Sequence, residues 1–149
     1  MKVRGATLSD VAFIAPLFNE YRVFYEQETD LSASRAFLEA RLRNNESIIF
    51  VAISEGEMIG FTQLYKTFSS VSLQPYYILN DLFVAQAHRK QGVGETLLNH
   101  AKIHCAKKNY KGLALETATD NPAQKLYERL EWKKDNDCFH YFWKNTIAQ

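Results

Sequence analysis

Hydrophobic residues recur along the chain with two periods, and the switches between them outline the elements. Lys2 to Arg4 suits a short first strand. Val11, Ile14, Ala15, Phe18 and Tyr21 then follow at helical spacing behind Thr7 and Ser9, either of which can cap a helix. That face continues through Phe24 and Tyr25 and ends near Glu28. A second helix is predicted from Ser32 or Ser34, carrying Phe37, Leu38 and Leu42 and stopping at Asn44-Asn45. Two bulky runs, roughly 47–54 and 58–66, flank Glu55-Gly56-Glu57 and read as a hairpin. A polar loop over 67–74 and Pro75 precede Ile78 to Val84, whose bulk suits a strand buried on both faces. Leu97, Leu98, Ala101 and Cys105 mark the inner face of a helix from Val93 to about Lys108, and Leu113 to Ala118 reads as another strand. Asn121-Pro122 opens a last helix, with Ala123, Leu126, Tyr127 and Leu130 on one stripe. Finally Phe139, Tyr141 and Trp143 alternate with His140, Phe142 and Lys144, predicting a closing strand.

The resulting order is β-α-α-β-β-β-α-β-α-β, an α/β (α+β) arrangement in a single domain over 1–149 with no repeat or linker. With 46% hydrophobic and 23% charged residues, the chain has the composition of an ordinary globular protein. A formal net charge of +1 gives no electrostatic footprint for nucleic acid or an anionic membrane. The longest apolar run, Ile48 to Ile53, is too short to span a bilayer, and MKVRGATLSD lacks an apolar signal core, so a cytoplasmic location is expected. Cys105 and Cys138 form neither a disulfide framework nor a metal pattern, and His100 and His104 lack a third ligand, so no metal is expected. His88, in the turn, is read as facing solvent.

Candidate chemistry concentrates where the strand ending at Val84 gives way to a helix. Arg89, Lys90, Gln91, Gly92, Val93, Gly94 and Glu95 span the joint. A helix start offers unpaired N–H groups and the positive end of the dipole, and glycines let an anion approach the backbone. The third glycine of a dinucleotide-binding fingerprint is missing, and no Gly-Lys-Ser/Thr follows as in a P-loop. The stretch resembles the Arg/Gln-x-x-Gly-x-Gly/Ala signature of the GNAT N-acyltransferases, with Arg89, Gly92 and Gly94 at the three fixed positions. Asp81-Leu82-Phe83-Val84 is similar to that family's central strand. Asn121 to Leu130 looks like its Asn-x-x-Ala-x-x-x-Tyr segment.

The resemblance implies a mixed sheet of six to seven strands with about four helices, and acetyl-CoA as co-substrate without a metal. By the same resemblance, the backbone of Leu82, Phe83 and Val84 pairs with the pantetheine arm and polarises the thioester carbonyl. Residues 89–95 hold the pyrophosphate, Asn121 steadies the arm, and Tyr127 faces the thioester. On sequence alone Asn121 could equally be a helix cap, and Tyr127 could be core. An amine attacking a thioester must lose a proton, and the leaving thiolate must gain one. A phenol of pKa about 10 can donate that proton, which is the role given to Tyr127. The base is open among Asp81, Glu116 and a water held by Asn80, because relatives carry a glutamate at the positions of Asn80 or Ile78. In a regular strand Asp81 and Asn80 face opposite ways, so only one would line the acceptor side. Relatives also have glycine where this chain has Glu131. Glu20, Glu26, Glu28 and Asp30 suggest an acidic lip that suits a polyamine-like cation, and a small polyamine-like or amino-acid-like amine is the expected acceptor. Protein acetylation and non-catalytic acyl-CoA sensing are the alternatives, and a homodimer through the C-terminal strand is expected.

Overall fold

The structure is a computed structural model that describes residues 1–147. It divides into two compact units, Met1–Glu116 and Thr117–Gln149. In the first, β1 (Lys2–Gly5), β2 (Ile48–Ser54), β3 (Glu57–Ser69), β4 (Gln74–Val84) and β5 (Leu113–Ala114) form one sheet in that order. The first four strands are antiparallel, and β5 lies parallel to β4.

Strand alternation sorts the side chains onto two layers. Ile49, Val51, Phe61 and Phe83 face one way and share a core with Val11, Ile14 and Phe18 of α1 (Val11–Phe24) and Leu38 of α2 (Leu31–Arg43). Phe50 faces the other way, against α3 (Val93–Lys107), where the rings of His100 and His104 lie 4.5 and 5.3 Å from its own. Gly60 lets α3 come close, since a Cβ there would stand 2.9 Å from the Phe83 carbonyl oxygen and 3.3 Å from the Val93 side chain. Leu97 and Leu98 are completely buried on that helix, each contributing about 1.5–3 kcal/mol.

The caps explain where the helices begin. Asp10 accepts the Thr7 amide at 2.8 Å and holds both guanidinium nitrogens of Arg4 at 2.8 and 2.9 Å. Those bonds, led by the Arg4 side chain, bring its carboxyl down to about 2. Asp30, rather than Ser32 or Ser34, caps α2 by accepting the Ala33 amide at 2.9 Å. Ser34 is buried, and its hydroxyl donates to the Asp30 carbonyl.

Several sequence expectations need correction. Among the described residues the sheet has five strands, not six to seven. Residues 133–147 contain no helix or strand, and Phe139, Tyr141 and Trp143 are exposed. Alternation supplies two faces but no partner, and a strand exists only when its backbone groups are paired. The strand predicted to reach Ala118 stops at Ala114. The loop expected over 67–74 is shorter, because β3 continues to Ser69 and β4 begins at Gln74. In the second unit, α4 (Gln124–Arg129) starts three residues later than Asn121.

Candidate active site

Pairing between β3 and β4 slips at one point. Gln63 stands opposite Asp81 and Leu64 opposite Leu79, which leaves Asn80 as an extra residue. In such a bulge two successive residues turn to the same side. Asn80 and Asp81 therefore both line one cavity, and the expectation that only one could is overturned. The Asn80 amide also donates to Asp81 Oδ1 at 3.1 Å.

The cavity has a volume of about 330 Å³. Helix α1 contributes Phe18, Tyr21 and Arg22, α2 contributes Ala33, Ser34 and Phe37, and Tyr65 comes from β3. Phe18 and Phe37 stack with centroids 5.7 Å apart and planes 10° apart. The Tyr21 hydroxyl donates to the carbonyl of Asn80 at 3.3 Å. Asp81 is only 4% exposed and accepts a short hydrogen bond from the Gln63 amide. Burial raises its carboxyl above the ordinary carboxylate value, against the hydrogen bonds of Gln63, Tyr21 and Asn80. Burial and then the Asp81 carboxylate push the Tyr65 phenol up to about 12 and raise that of Tyr21. Both phenols stay protonated at neutral pH, and that of Tyr21 acts as a hydrogen-bond donor. Glu20, Glu26 and Glu28 are absent from the lining, Asp30 is a helix cap, and Glu116 is exposed outside it.

Beyond the bulge, the second edge of β4 opens. β5 pairs with it only at Tyr77 and Ile78, so among the described residues the edge from Leu79 through Leu82, Phe83 and Val84 has no strand beside it. It leads into the turn before α3. Lys90 and Gly92 both have left-handed backbones, with φ of 61° and 82°. Gly92 is the N-cap, and its carbonyl accepts the Thr96 amide at 3.0 Å. The amides of Gln91, Gly92, Val93 and Gly94 have no acceptor in the chain among the described residues. Glu95 lies in the first turn. Arg89 turns back, its Nε donating to the Val84 carbonyl at 3.0 Å and its guanidinium lying 5.2 Å from the Phe83 ring. It braces the joint, while Lys90 and Gln91 are exposed there.

Within the second unit, Asn121 Oδ1 accepts the Ala123 amide at 2.9 Å, closing a turn ahead of α4, whose N-cap is Ala123. Tyr127 sits on α4, half-buried, with its ring 6.0 Å from that of Trp132. The helix ends in a Schellman motif, with the Glu131 amide donating to the Glu128 carbonyl and the Trp132 amide to the Tyr127 carbonyl. Glu131 holds the left-handed position, with φ of 69°, where the resemblance anticipated glycine.

Sequence reasoning placed Tyr21 on an apolar helix face and did not single out Tyr65, Gln63 or Arg22. Tyr21 lies on the apolar face of α1 but carries a polar tip, which was the available signal. Gln63 and Tyr65 join it only through the β3–β4 register.

A helix start with unpaired amides beside an open strand edge, next to a cavity holding a buried carboxylate, fits the layout of an acyltransferase. The Acetyltransferase (GNAT) family matches residues 14–132, and the chain belongs to that family. It is an N-acetyltransferase. It is 51% identical over 142 residues to the uncharacterized N-acetyltransferase YhfO of Bacillus subtilis, covering 95% of each chain. It is also 33% identical to a probable acetyltransferase of Haemophilus influenzae, over 86% of this chain and 97% of that one. Among solved structures, a probable acetyltransferase at 39% identity superimposes with a TM-score of 0.92, covering 99% of this chain and 100% of that one. Among the described residues no helix is long and apolar enough to cross a membrane.

Proposed function

We propose that the protein transfers acetyl from acetyl-CoA directly to the primary amine of a small molecule, in a ternary complex, with Asp81 as the general base. The carrying observation is Asp81 itself: a buried carboxylate of raised pKa, opening on a cavity and lying on the strand that leads to the α3 N-terminus. The residues present fit the co-substrate. The Gln91–Gly94 amides and Lys90 suit a pyrophosphate, and the unpaired β4 edge at Leu82–Val84 suits a pantetheine arm. Acetyl-CoA supplies the activated acetyl as a thioester. Asp81 takes the proton of the bound ammonium, since an amine of pKa about 10 is mostly protonated at neutral pH. Asn80 and Gln63 hold the carboxylate, Tyr21 donates to the Asn80 carbonyl beside it, and Tyr65 lines the same cavity. Tyr127 is the proposed acid for the departing thiolate, supported by its place in the family segment. Its packing on Trp132 fixes the ring.

An assay of coenzyme release across amines, amino acids and lysine peptides tests this reading. Turnover of small amines above peptides is expected, and no turnover of any amine leaves only acyl-CoA sensing. The location is proposed to be cytoplasmic, and residues 1–149 to act as one catalytic domain, since the family match crosses both units. A homodimer is also proposed, resting on the exposed Phe139, Tyr141 and Trp143. Light scattering should give twice the 17.2 kDa of the chain, and a monomer at micromolar concentration refutes it.

A further inference from the structure

The cavity carries a second charge that base catalysis does not use. Arg22 is half-buried in its lining, and Nη1 donates to the Glu28 carbonyl at 3.2 Å, which steadies the guanidinium. Arg4, Arg35 and Arg41 each hold a carboxylate at 2.8–3.1 Å. Arg22 has no such partner among the described residues, and although Asp81 lines the same cavity, the two do not pair. A half-buried guanidinium with free donors on the wall of a small cavity is a ready partner for an anion, above all a bidentate carboxylate. Phe18 and Phe37 form a stacked apolar wall in the same cavity.

From these placements we infer that the acceptor is an amino acid with an apolar or aromatic side chain. Its carboxylate lies on Arg22, its amine toward Asp81, and its side chain against Phe18 and Phe37. This assignment rests on the N-acetyltransferase reading above and narrows its substrate. It also disfavours a polyamine, because a second ammonium would meet Arg22, and no carboxylate other than Asp81 lines the cavity to receive it.

The test compares kcat/KM for L-phenylalanine with that for L-phenylalaninamide, and L-leucine with L-leucinamide, in the wild type, Arg22→Gln and Arg22→Lys. The two amines of a pair differ in intrinsic reactivity, but that difference cancels when their ratio is compared between variants. Loss of a charged hydrogen-bonding partner should lower the acid-to-amide ratio about 10- to 100-fold in Arg22→Gln. The lysine variant keeps the charge without the bidentate fork and should fall between. A ratio unchanged in Arg22→Gln overturns the inference. So does a loss of ratio in Arg22→Gln that lysine does not partly restore, since displacement of the Glu28 loop would then explain it. Turnover of spermidine or a lysine peptide with none of the amino acids overturns the inference and leaves the transferase reading standing. No turnover of any amine overturns both.

Discussion

Asp81→Asn separates the catalytic and structural roles of the buried carboxylate, because the two predict opposite changes. The new side chain has the same shape but cannot take a proton. General-base help is typically worth about 10²–10⁴-fold, so kcat/KM for the best amine should fall in that range, with acetyl-CoA affinity nearly unchanged. Stability should move the other way. Burial raises the folded-state pKa of Asp81, so the folded protein keeps a proton that the unfolded chain has already released. Stability then falls as pH rises from the unfolded to the folded value, and that loss persists at neutral pH. Every tenfold gain in the proton affinity of a carboxyl on folding costs about 1.4 kcal/mol at neutral pH, a cost that the neutral variant escapes. Its amide is also well received. A flipped Gln63 can accept from the new N–H, while Asn80 still donates to the new oxygen. For a domain of this size, each 1 kcal/mol gained raises Tm by about 2–6 °C.

The pH profile gives the second readout. The base is inactive when protonated, so the wild-type acid limb of kcat/KM should lie above the ordinary carboxylate range, and the residual rate of the variant should lack it. Thermal melts at pH 7.5 and rate profiles from pH 5 to 9 measure both effects. A variant that keeps more than a tenth of wild-type kcat/KM with the same acid limb would falsify the base assignment. A variant that melts several degrees lower would make Asp81 a structural acceptor.

Three further substitutions probe the other parts. Tyr127→Phe keeps the ring against Trp132 and should lower kcat about 10²–10⁴-fold while barely moving the acetyl-CoA KM; near-wild-type kcat would return Tyr127 to packing. Gly92→Val meets open space but puts a β-branched residue at a φ of 82°, at a cost of at least about 1–2 kcal/mol. Acetyl-CoA affinity by calorimetry should drop about tenfold or more with circular dichroism unchanged, and full affinity would refute the cradle. Glu131→Gly relieves the left-handed strain at the end of α4 and should stabilise by about 0.4–1 kcal/mol; a lower Tm in thermal unfolding would count against it.

The sequence carried the parts of this fold that depend on local pattern. Apolar spacing located α1, α2 and α3, and the glycines around Val93 marked a helix start, where the structure adds a left-handed backbone at Gly92. What depends on partners was hidden. Phe139, Tyr141 and Trp143 alternate as a strand does, yet pair with nothing among the described residues. Leu113 to Ala118 has strand character throughout, but only two residues find β4. The cavity was hidden for the same reason, because Tyr21, Arg22, Gln63 and Tyr65 come from α1 and β3 and meet through tertiary contact.

The bulge is the deepest of these omissions, because the sequence around it argues against it. Tyr77, Leu79, Asp81 and Phe83 are all buried, as one regular face would be. Yet Tyr77 packs on His104 of α3, whereas Phe83 packs on Tyr21 of α1. The strand has changed faces between them, and the extra residue Asn80 is where it does so. The step sets two adjacent polar side chains on the cavity side, one bonding the other, which a regular strand forbids. It also sets the order of the chemistry along β4. Asp81 closes the cavity, and Leu82 to Val84, immediately after it, form the edge that β5 has left unpaired. The proposed base and the proposed binding edge, one residue apart on one rigid strand, keep their spacing without help from a mobile loop, the preorganisation that transfer between two bound substrates requires.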